Sequence, residues 1–179
     1  GVPSEMQRMW QETAVPYLKT LGFGQEIIFS RTLKFWGIAE SALAEKASAF
    51  LNLPNPTVAP YASRGEVKLR ISAKAASPTA AEELITPIAQ QLQTIGALDY
   101  YGQDDDSLAS VVGQLLQQAN ATLSVAESCT GGGLGQMLTD VSGSSRYFMG
   151  GVISYDNQVK VSLLGVDPQV LNQEGAVSS

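Results

Sequence analysis

The chain contains no histidine among its 179 residues. This absence excludes Ser-His-Asp and Cys-His catalysis within the chain, together with zinc sites that use histidine ligands. A catalytic nucleophile in this protein therefore needs another activating group. The candidates are a lysine, a tyrosine, a carboxylate or the N-terminus of a helix.

Cysteine is almost absent as well, since Cys129 is the only one. A single cysteine cannot form a disulfide within the chain, which is typical of proteins in a reducing cytosol. No run of eighteen apolar residues occurs, so the sequence predicts no membrane-spanning helix. We expect a cytoplasmic protein without a membrane partner.

Basic residues are scarce relative to acidic ones, and the net charge is −6. A large nucleic-acid interface needs clustered lysine and arginine to replace counterions, so nucleic acid is not an expected partner. The charge places no limit on a small-molecule substrate.

The order of predicted elements indicates two folded parts after an N-terminal helix. The helix covers residues 4–20 and is expected to be interrupted at Pro16. Residues 21–102 predict a small α+β domain of order β-α-β-β-α, with a turn at residues 63–65 and an added edge strand. The acidic stretch GQDDD then leads into residues 103–179, where helices and strands alternate. This alternation predicts an α/β unit with at least one parallel strand pair.

The β-α-β-β-α part resembles a KH domain, a nucleic-acid-binding module that clamps the backbone with a GXXG loop. No GXXG sequence occurs in residues 21–100. Its basic residues lie mostly at alternating strand positions, which is typical of a solvated sheet face. We expect a structural role for this domain, as a spacer or a dimer contact.

The most unusual segment is ESCTGGGLGQM, at residues 127–137. It follows a predicted strand and opens a predicted helix, yet it fits neither G-x-G-x-x-G, nor the Walker P-loop, nor the G-x-S-x-G elbow. Free N–H groups at the start of a helix attract anions, so a phosphate or an oxyanion is one candidate ligand. The other interpretation is that the glycines allow close helix–strand packing. The sequence leaves both open.

Two adjacent residues in this segment are candidate nucleophiles. Cys129 is intrinsically the more reactive, but a catalytic cysteine usually works with a histidine. Ser128 can instead work with a lysine base. Side chains alternate along a strand, so if Ser128 faces the glycine loop, Cys129 faces the core. These arguments favour Ser128.

A lysine for this role occurs at the next strand–helix junction, GGVISYDNQVK. Tyr155 is expected to end the strand and Lys160 to lie in the first turns of the following helix. Functional groups of α/β sheets collect at the carboxyl ends of the strands, so both residues can meet Ser128 there. Desolvation would help Lys160 to lose its proton. Taken singly, Lys160 is better explained as a solvated helix lysine and Tyr155 as a half-buried edge aromatic. The coincidence of three candidate residues at one edge is what favours a catalytic site.

Several segments together resemble one family. AESCTGG, GSSRYFMGGVISYDNQVK, LLGV and EGAVS resemble the C-terminal domain of the CinA family of competence/damage-inducible proteins. GVPSEMQRMW resembles the last loop and helix of the family's N-terminal domain, which is similar to molybdopterin-cofactor biosynthesis proteins. The resemblance therefore implies three parts: residues 1–20 from that N-terminal domain, 21–102 as the KH-type linker, and 103–179 as a truncated amidohydrolase domain.

Active members of the family are nicotinamide-nucleotide amidohydrolases, which convert nicotinamide mononucleotide to nicotinate mononucleotide and ammonia in pyridine nucleotide recycling. The resemblance implies that Ser128 is the nucleophile, that Lys160 activates it, and that Tyr155 relays protons or orients the site. It implies no metal or other cofactor. The substrate-binding residues that it implies are Thr130, Gly131, Gly132, Gly133, Ser145 and Arg146.

The resemblance also implies what the 179 residues lack. The amidohydrolase domain stops early, and the N-terminal domain, linked in the family to ADP-ribose pyrophosphatase activity, is almost missing. We therefore expect the 179-residue chain to be inactive or barely active by itself. We also expect the full-length protein to be a homodimer. Two alternatives are a nucleotide-binding scaffold in competence or DNA-damage responses, and a protein acting mainly through its pyrophosphatase domain.

Overall fold

The structure is a computed structural model that describes residues 2–63 and 65–177. It divides into two compact units, Gly1–Asp105 and Asp106–Ser179. Mixed α and β structure occurs in both, as the sequence predicted. The turn expected at residues 63–65 includes Arg64, which lies outside the described residues.

The first unit begins with a helical segment in three pieces. These are α1 (Pro3–Met9), a π-helical turn (Trp10–Ala14) and α2 (Val15–Thr20). The expected interruption at Pro16 is wrong, because the helical path continues through this residue. Pro16 lies in the first turn of α2, where a missing N–H is tolerated, and the wider π turn precedes it.

The remaining elements of this unit are β1 (Ile27–Trp36), α3 (Glu40–Lys46), α4 (Ser48–Leu51), β2 (Thr57–Ser63), β3 (Glu66–Ala75), α5 (Pro78–Gly96) and β4 (Tyr100–Gln103). The four strands form an antiparallel sheet of order β2-β3-β1-β4 at the centre of the unit. They carry alternating apolar residues, so one face is buried against helices, above all α5. The strand predicted from ALDYYGQ is confirmed as the edge strand β4.

The second unit contains the predicted parallel pair. Strand β5 (Leu123–Glu127) pairs with β6 (Phe148–Ile153) in parallel. Around them are α6 (Leu108–Gln118), α7 (Gly133–Thr139), α8 (Asn157–Leu164) and α9 (Pro168–Glu174). Asp167 caps α9, a helix that the sequence analysis did not predict.

Tyr147 is the largest fully buried side chain of this second unit among the described residues. Its ring lies against Gly113 of α6, where an added Cβ would come within 2.5 Å of the phenol oxygen. Its carbonyl accepts a hydrogen bond of 2.7 Å from the N–H of Leu123. Tyr147 therefore links α6 to the start of both strands and fixes how β5 and β6 lie side by side.

Candidate functional site

The two parallel strands end at the same edge of the sheet. Glu127, the last residue of β5, lies opposite Ile153, the last residue of β6. The chain then enters the glycine-rich turn and α7 after β5, and α8 after β6. Residues that follow the two strands are therefore brought together although they are far apart in sequence.

At this edge, Nζ of Lys160 lies 3.1 Å from Oγ of Ser128. Lys160 is buried, with 8% of its surface exposed, and Ser128 is half-buried. A serine hydroxyl within hydrogen-bond distance of a buried lysine is the arrangement that a Ser-Lys nucleophile requires.

The start of α8 explains the position of Lys160. The carboxylate of Asp156 accepts a 2.7 Å hydrogen bond from the N–H of Gln158 and caps the helix, so Lys160 lies in its first turns. Helical side chains point back towards the N-terminus, which directs this one to the strand ends. There Nζ also donates to the carbonyl of Ser154 and, at 3.3 Å, to that of Tyr155.

Glu127 is a second buried charged residue at this edge, with 7% of its surface exposed. Its carboxylate accepts hydrogen bonds from Oγ1 of Thr130 at 2.7 Å and from the N–H groups of Leu134 at 2.9 Å and Gly135 at 3.1 Å. The hydroxyl of Thr130, followed by these backbone N–H groups, lowers the pKa of this carboxyl below its usual value. Glu127 is therefore ionised at neutral pH.

The glycines make the turn possible. Gly131 and Gly132 have φ angles of +59° and +106°, which L-residues with side chains rarely adopt. The N–H of Gly131 donates to the carbonyl of Ser128, and that of Gly133 donates to Thr130. The N–H groups of Leu134 and Gly135 at the start of α7 donate to an anion of the protein itself, the carboxylate of Glu127. The substrate-binding roles of Thr130 and residues 131–133 stay predictions.

Cys129 does not lie where the strand alternation predicted. It is exposed rather than directed into the core. The reason is that β5 ends at Glu127, so Ser128 and Cys129 already belong to the turn and the period-two rule does not apply to them. The buried residue at the strand end is Glu127.

Tyr155 contacts Lys160 through its backbone carbonyl rather than through its side chain. The strand ends at Ile153, two residues earlier than expected, and the side chain of Tyr155 is 73% exposed. Its carbonyl accepts from Lys160, whereas its phenol makes no hydrogen bond to any described residue. The proposed proton relay through this phenol stays a prediction.

Ser145 and Arg146 lie at the other end of the strands. They belong to a short 3-10 turn that precedes β6, and Arg146 borders a small cavity with Asn120 and Thr122, which precede β5. Within this chain the structure does not bring them to Ser128. Their role in substrate binding stays a prediction.

Sequence reasoning missed Glu127 and Ser154. Ser154 is buried, and both its N–H and its hydroxyl donate to the carbonyl of Glu127, at 2.7 and 3.2 Å. The available signal was an acidic residue between an apolar strand and a glycine-rich helix start, because such a carboxylate can accept from the free N–H groups of the helix.

Within residues 2–63 and 65–177, no group of three or more histidine, cysteine, aspartate or glutamate side chains is placed to hold a metal ion. In the same ranges, no helix has the length and apolarity that crossing a bilayer would require.

Comparison with known proteins places these features in a family. The family described as "CinA C-terminal domain" matches residues 105–179, and that described as "Damage-inducible protein CinA KH domain" matches residues 30–102. The chain therefore belongs to the CinA family.

Two curated relatives are cyanobacterial and carry the name "CinA-like protein". The protein of Trichormus variabilis is 71% identical over 99% of this chain, and that of Nostoc punctiforme is 69% identical over 100%. The chain spans 43% of the length of each. Among solved structures, competence/damage inducible protein CihA from Agrobacterium tumefaciens is 38% identical, with a TM-score of 0.39 over 40% of this chain and 43% of that one.

Proposed function

We propose that the full-length protein hydrolyses the carboxamide of nicotinamide mononucleotide, giving nicotinate mononucleotide and ammonia. Ser128 is the nucleophile and Lys160 is the general base. The observation that carries this proposal is the 3.1 Å distance between Oγ of Ser128 and Nζ of Lys160. The substrate and the role in pyridine nucleotide recycling come from the resemblance of the sequence to active CinA-family amidohydrolases.

The contacts of Lys160 hold its amine beside the nucleophile. Nζ donates to the carbonyls of Ser154 and Tyr155 and to Oγ of Ser128. These three contacts keep the nitrogen within reach of the serine proton, which it accepts when it acts as the general base.

The reaction follows from this arrangement as an acyl transfer. Oγ of Ser128 attacks the carboxamide carbon while its proton passes to Nζ of Lys160. The C–N bond breaks, and Lys160 returns the proton to the leaving nitrogen, which departs as ammonia. Water then attacks the Ser128 ester and gives one proton to Lys160, which restores the serine hydroxyl as nicotinate mononucleotide leaves.

The remaining predicted residues have supporting roles in this proposal. Tyr155 holds the amine of Lys160 through its carbonyl and offers an exposed phenol to the substrate. Thr130 and residues 131–133 shape the turn beside the nucleophile. Ser145 and Arg146 are proposed to contact the nucleotide, and the full-length protein is proposed to act as a homodimer.

Ammonia release from nicotinamide mononucleotide by the full-length protein tests the proposal. Ser128→Ala and Lys160→Ala should each lower the rate by about 10³-fold or more, because they remove the nucleophile and its base. Cys129→Ala is the matched control, since this residue is adjacent and exposed. Wild-type turnover in both site variants would refute the assignment.

A further inference from the structure

We propose that Glu127 is a positioning residue for Ser128: its carboxylate holds the turn that directs Oγ of Ser128 towards Lys160. Its effect on turnover rests on the function proposed above, whereas its effect on the turn does not. Glu127 touches no reacting atom in this account and acts through its neighbours.

The burial of the Glu127 carboxylate supports this positioning role. A carboxylate that is removed from water is destabilising unless hydrogen bonds replace its hydration. Glu127 is only 7% exposed, and its two oxygens accept hydrogen bonds from Thr130, Leu134 and Gly135. Oε2 accepts from Thr130 and Leu134, and Oε1 accepts from Gly135. Since all three donors belong to the turn and the first helical residues after it, the carboxylate organises this segment in particular.

The positions of the groups that donate to Glu127 also support this role. Thr130 lies just beyond Ser128, and Leu134 is the second residue of α7, so the carboxylate joins both sides of the glycine-rich loop to the end of β5. An added Cβ at Gly135 would lie 3.3 Å from Oε1, which shows how closely the helix approaches the carboxylate. Ser128 therefore lies between two fixed points, Glu127 and Thr130.

The hydrogen bonds of the Glu127 main chain support the same role. Its carbonyl accepts from the N–H of Ser154 at 2.7 Å and from the hydroxyl at 3.2 Å, and the carbonyl of Ser154 in turn accepts from Lys160. One residue is thus connected to both members of the pair, to Ser128 by the covalent chain and to Lys160 through Ser154. Small displacements at Glu127 change the distance between Oγ and Nζ.

Glu127→Gln is the informative substitution. The amide has almost the same shape, but it replaces one accepting oxygen by an NH₂ group that faces donors. At least one of the three hydrogen bonds is lost, and the turn relaxes. Glu127→Asp is the conservative variant, since it keeps the charge and both oxygens on a side chain that is one methylene shorter.

The experiment measures steady-state hydrolysis of nicotinamide mononucleotide by the full-length protein. Glu127→Gln should lower kcat by about 10- to 100-fold and leave KM within about twofold, because orientation rather than binding is lost. Glu127→Asp should recover part of kcat. Wild-type kcat in Glu127→Gln, or a raised KM at unchanged kcat, would overturn the proposal.

A second pair of variants covers the case in which Glu127→Gln does not fold. Thr130→Val removes the 2.7 Å donor to the carboxylate, and Thr130→Ser retains it. The kcat of Thr130→Val should be severalfold lower than that of Thr130→Ser. Equal kcat values in the two Thr130 variants would overturn the proposal.

Failure of this inference differs from failure of the proposed function. If Ser128→Ala is inactive and Glu127→Gln is fully active, the function stands and the positioning role is wrong. If Ser128→Ala turns over the substrate at the wild-type rate, the function is wrong. Hydrogen exchange at the amides of Leu134 and Gly135 then tests separately whether Glu127 holds the turn. Faster exchange in Glu127→Gln supports this role, and unchanged exchange contradicts it.

Discussion

The amine of Lys160 lies 3.1 Å from the hydroxyl of Ser128, although 32 positions separate the two residues in the chain. Three local features produce this contact. The parallel pairing brings the two strand ends together, Asp156 starts α8 directly after β6, and the first turns of this helix direct the lysine back to the strand ends. The pair is therefore a consequence of the fold of one short α/β unit.

Lys160→Met should separate activity from stability. Methionine keeps a long flexible stem but has no amine, so the amidase rate should fall by about 10³-fold or more, as in Lys160→Ala. The change removes the cost of burying the amine but leaves the carbonyls of Ser154 and Tyr155 without this donor, so the melting temperature should change by no more than about a few degrees. Ammonia release and thermal unfolding check the two effects. Lys19→Met, at an exposed lysine, is the control, and comparable activity in both variants would count against Lys160 as the base.

Cys129→Ala should leave turnover within about twofold of the wild type. The thiol is exposed and follows the nucleophile by one position, so removing it leaves the Ser128–Lys160 contact in place. Initial rates with nicotinamide mononucleotide make the comparison. A loss as large as that in Ser128→Ala would move the nucleophile to the neighbouring residue.

Gly113→Ala should destabilise the second unit. Alanine favours a helix over glycine by about 1 kcal/mol, but overpacking a core costs about 1–3 kcal/mol. The added Cβ would come within 2.5 Å of the fully buried Tyr147, which has little room to move, so we expect a net loss. Urea unfolding measures it. Gln114→Ala, exposed on the same helix, should change stability by no more than about 0.5 kcal/mol. Equal stabilities for the two variants would contradict this packing.

The stabilisation by Glu127 should depend on pH. Its pKa is lower in the folded protein than the ordinary value of 4.5, because Thr130 and backbone N–H groups donate to the ionised form. The contribution is therefore fully present above pH 4.5 and is lost as the pH falls through the lowered folded pKa. The difference in unfolding free energy between the wild type and Glu127→Gln should be constant near neutral pH and shrink in acid. A difference that grows in acid would have the wrong sign.

The sequence predicted the order of elements well because their periodicity was strong. The parallel pair and the edge strand β4 both follow from local patterns. Pro16 misled the prediction, since a π turn before it kept the helix continuous. This error concerns a backbone detail that composition does not specify.

At the site, residue chemistry was easier to predict than orientation. The missing histidine indicated Ser128 and a lysine partner, and the structure places Lys160 beside it. The orientation of the two candidate nucleophiles depended on where β5 ends. The alternation argument placed Ser128 and Cys129 in the strand, whereas β5 ends at Glu127 and both residues belong to the turn. Cys129 is therefore exposed, and the buried residue at the strand end is Glu127.

Trapping the covalent intermediate identifies the nucleophile. Full-length wild type and the Cys129→Ala and Ser128→Ala variants are mixed with nicotinamide mononucleotide, quenched in acid, digested and analysed by mass spectrometry. The account predicts a nicotinate mononucleotide ester on Ser128 in the wild type and in Cys129→Ala, and none in Ser128→Ala. An adduct on Cys129, or turnover of the substrate by Ser128→Ala at the wild-type rate, would contradict it.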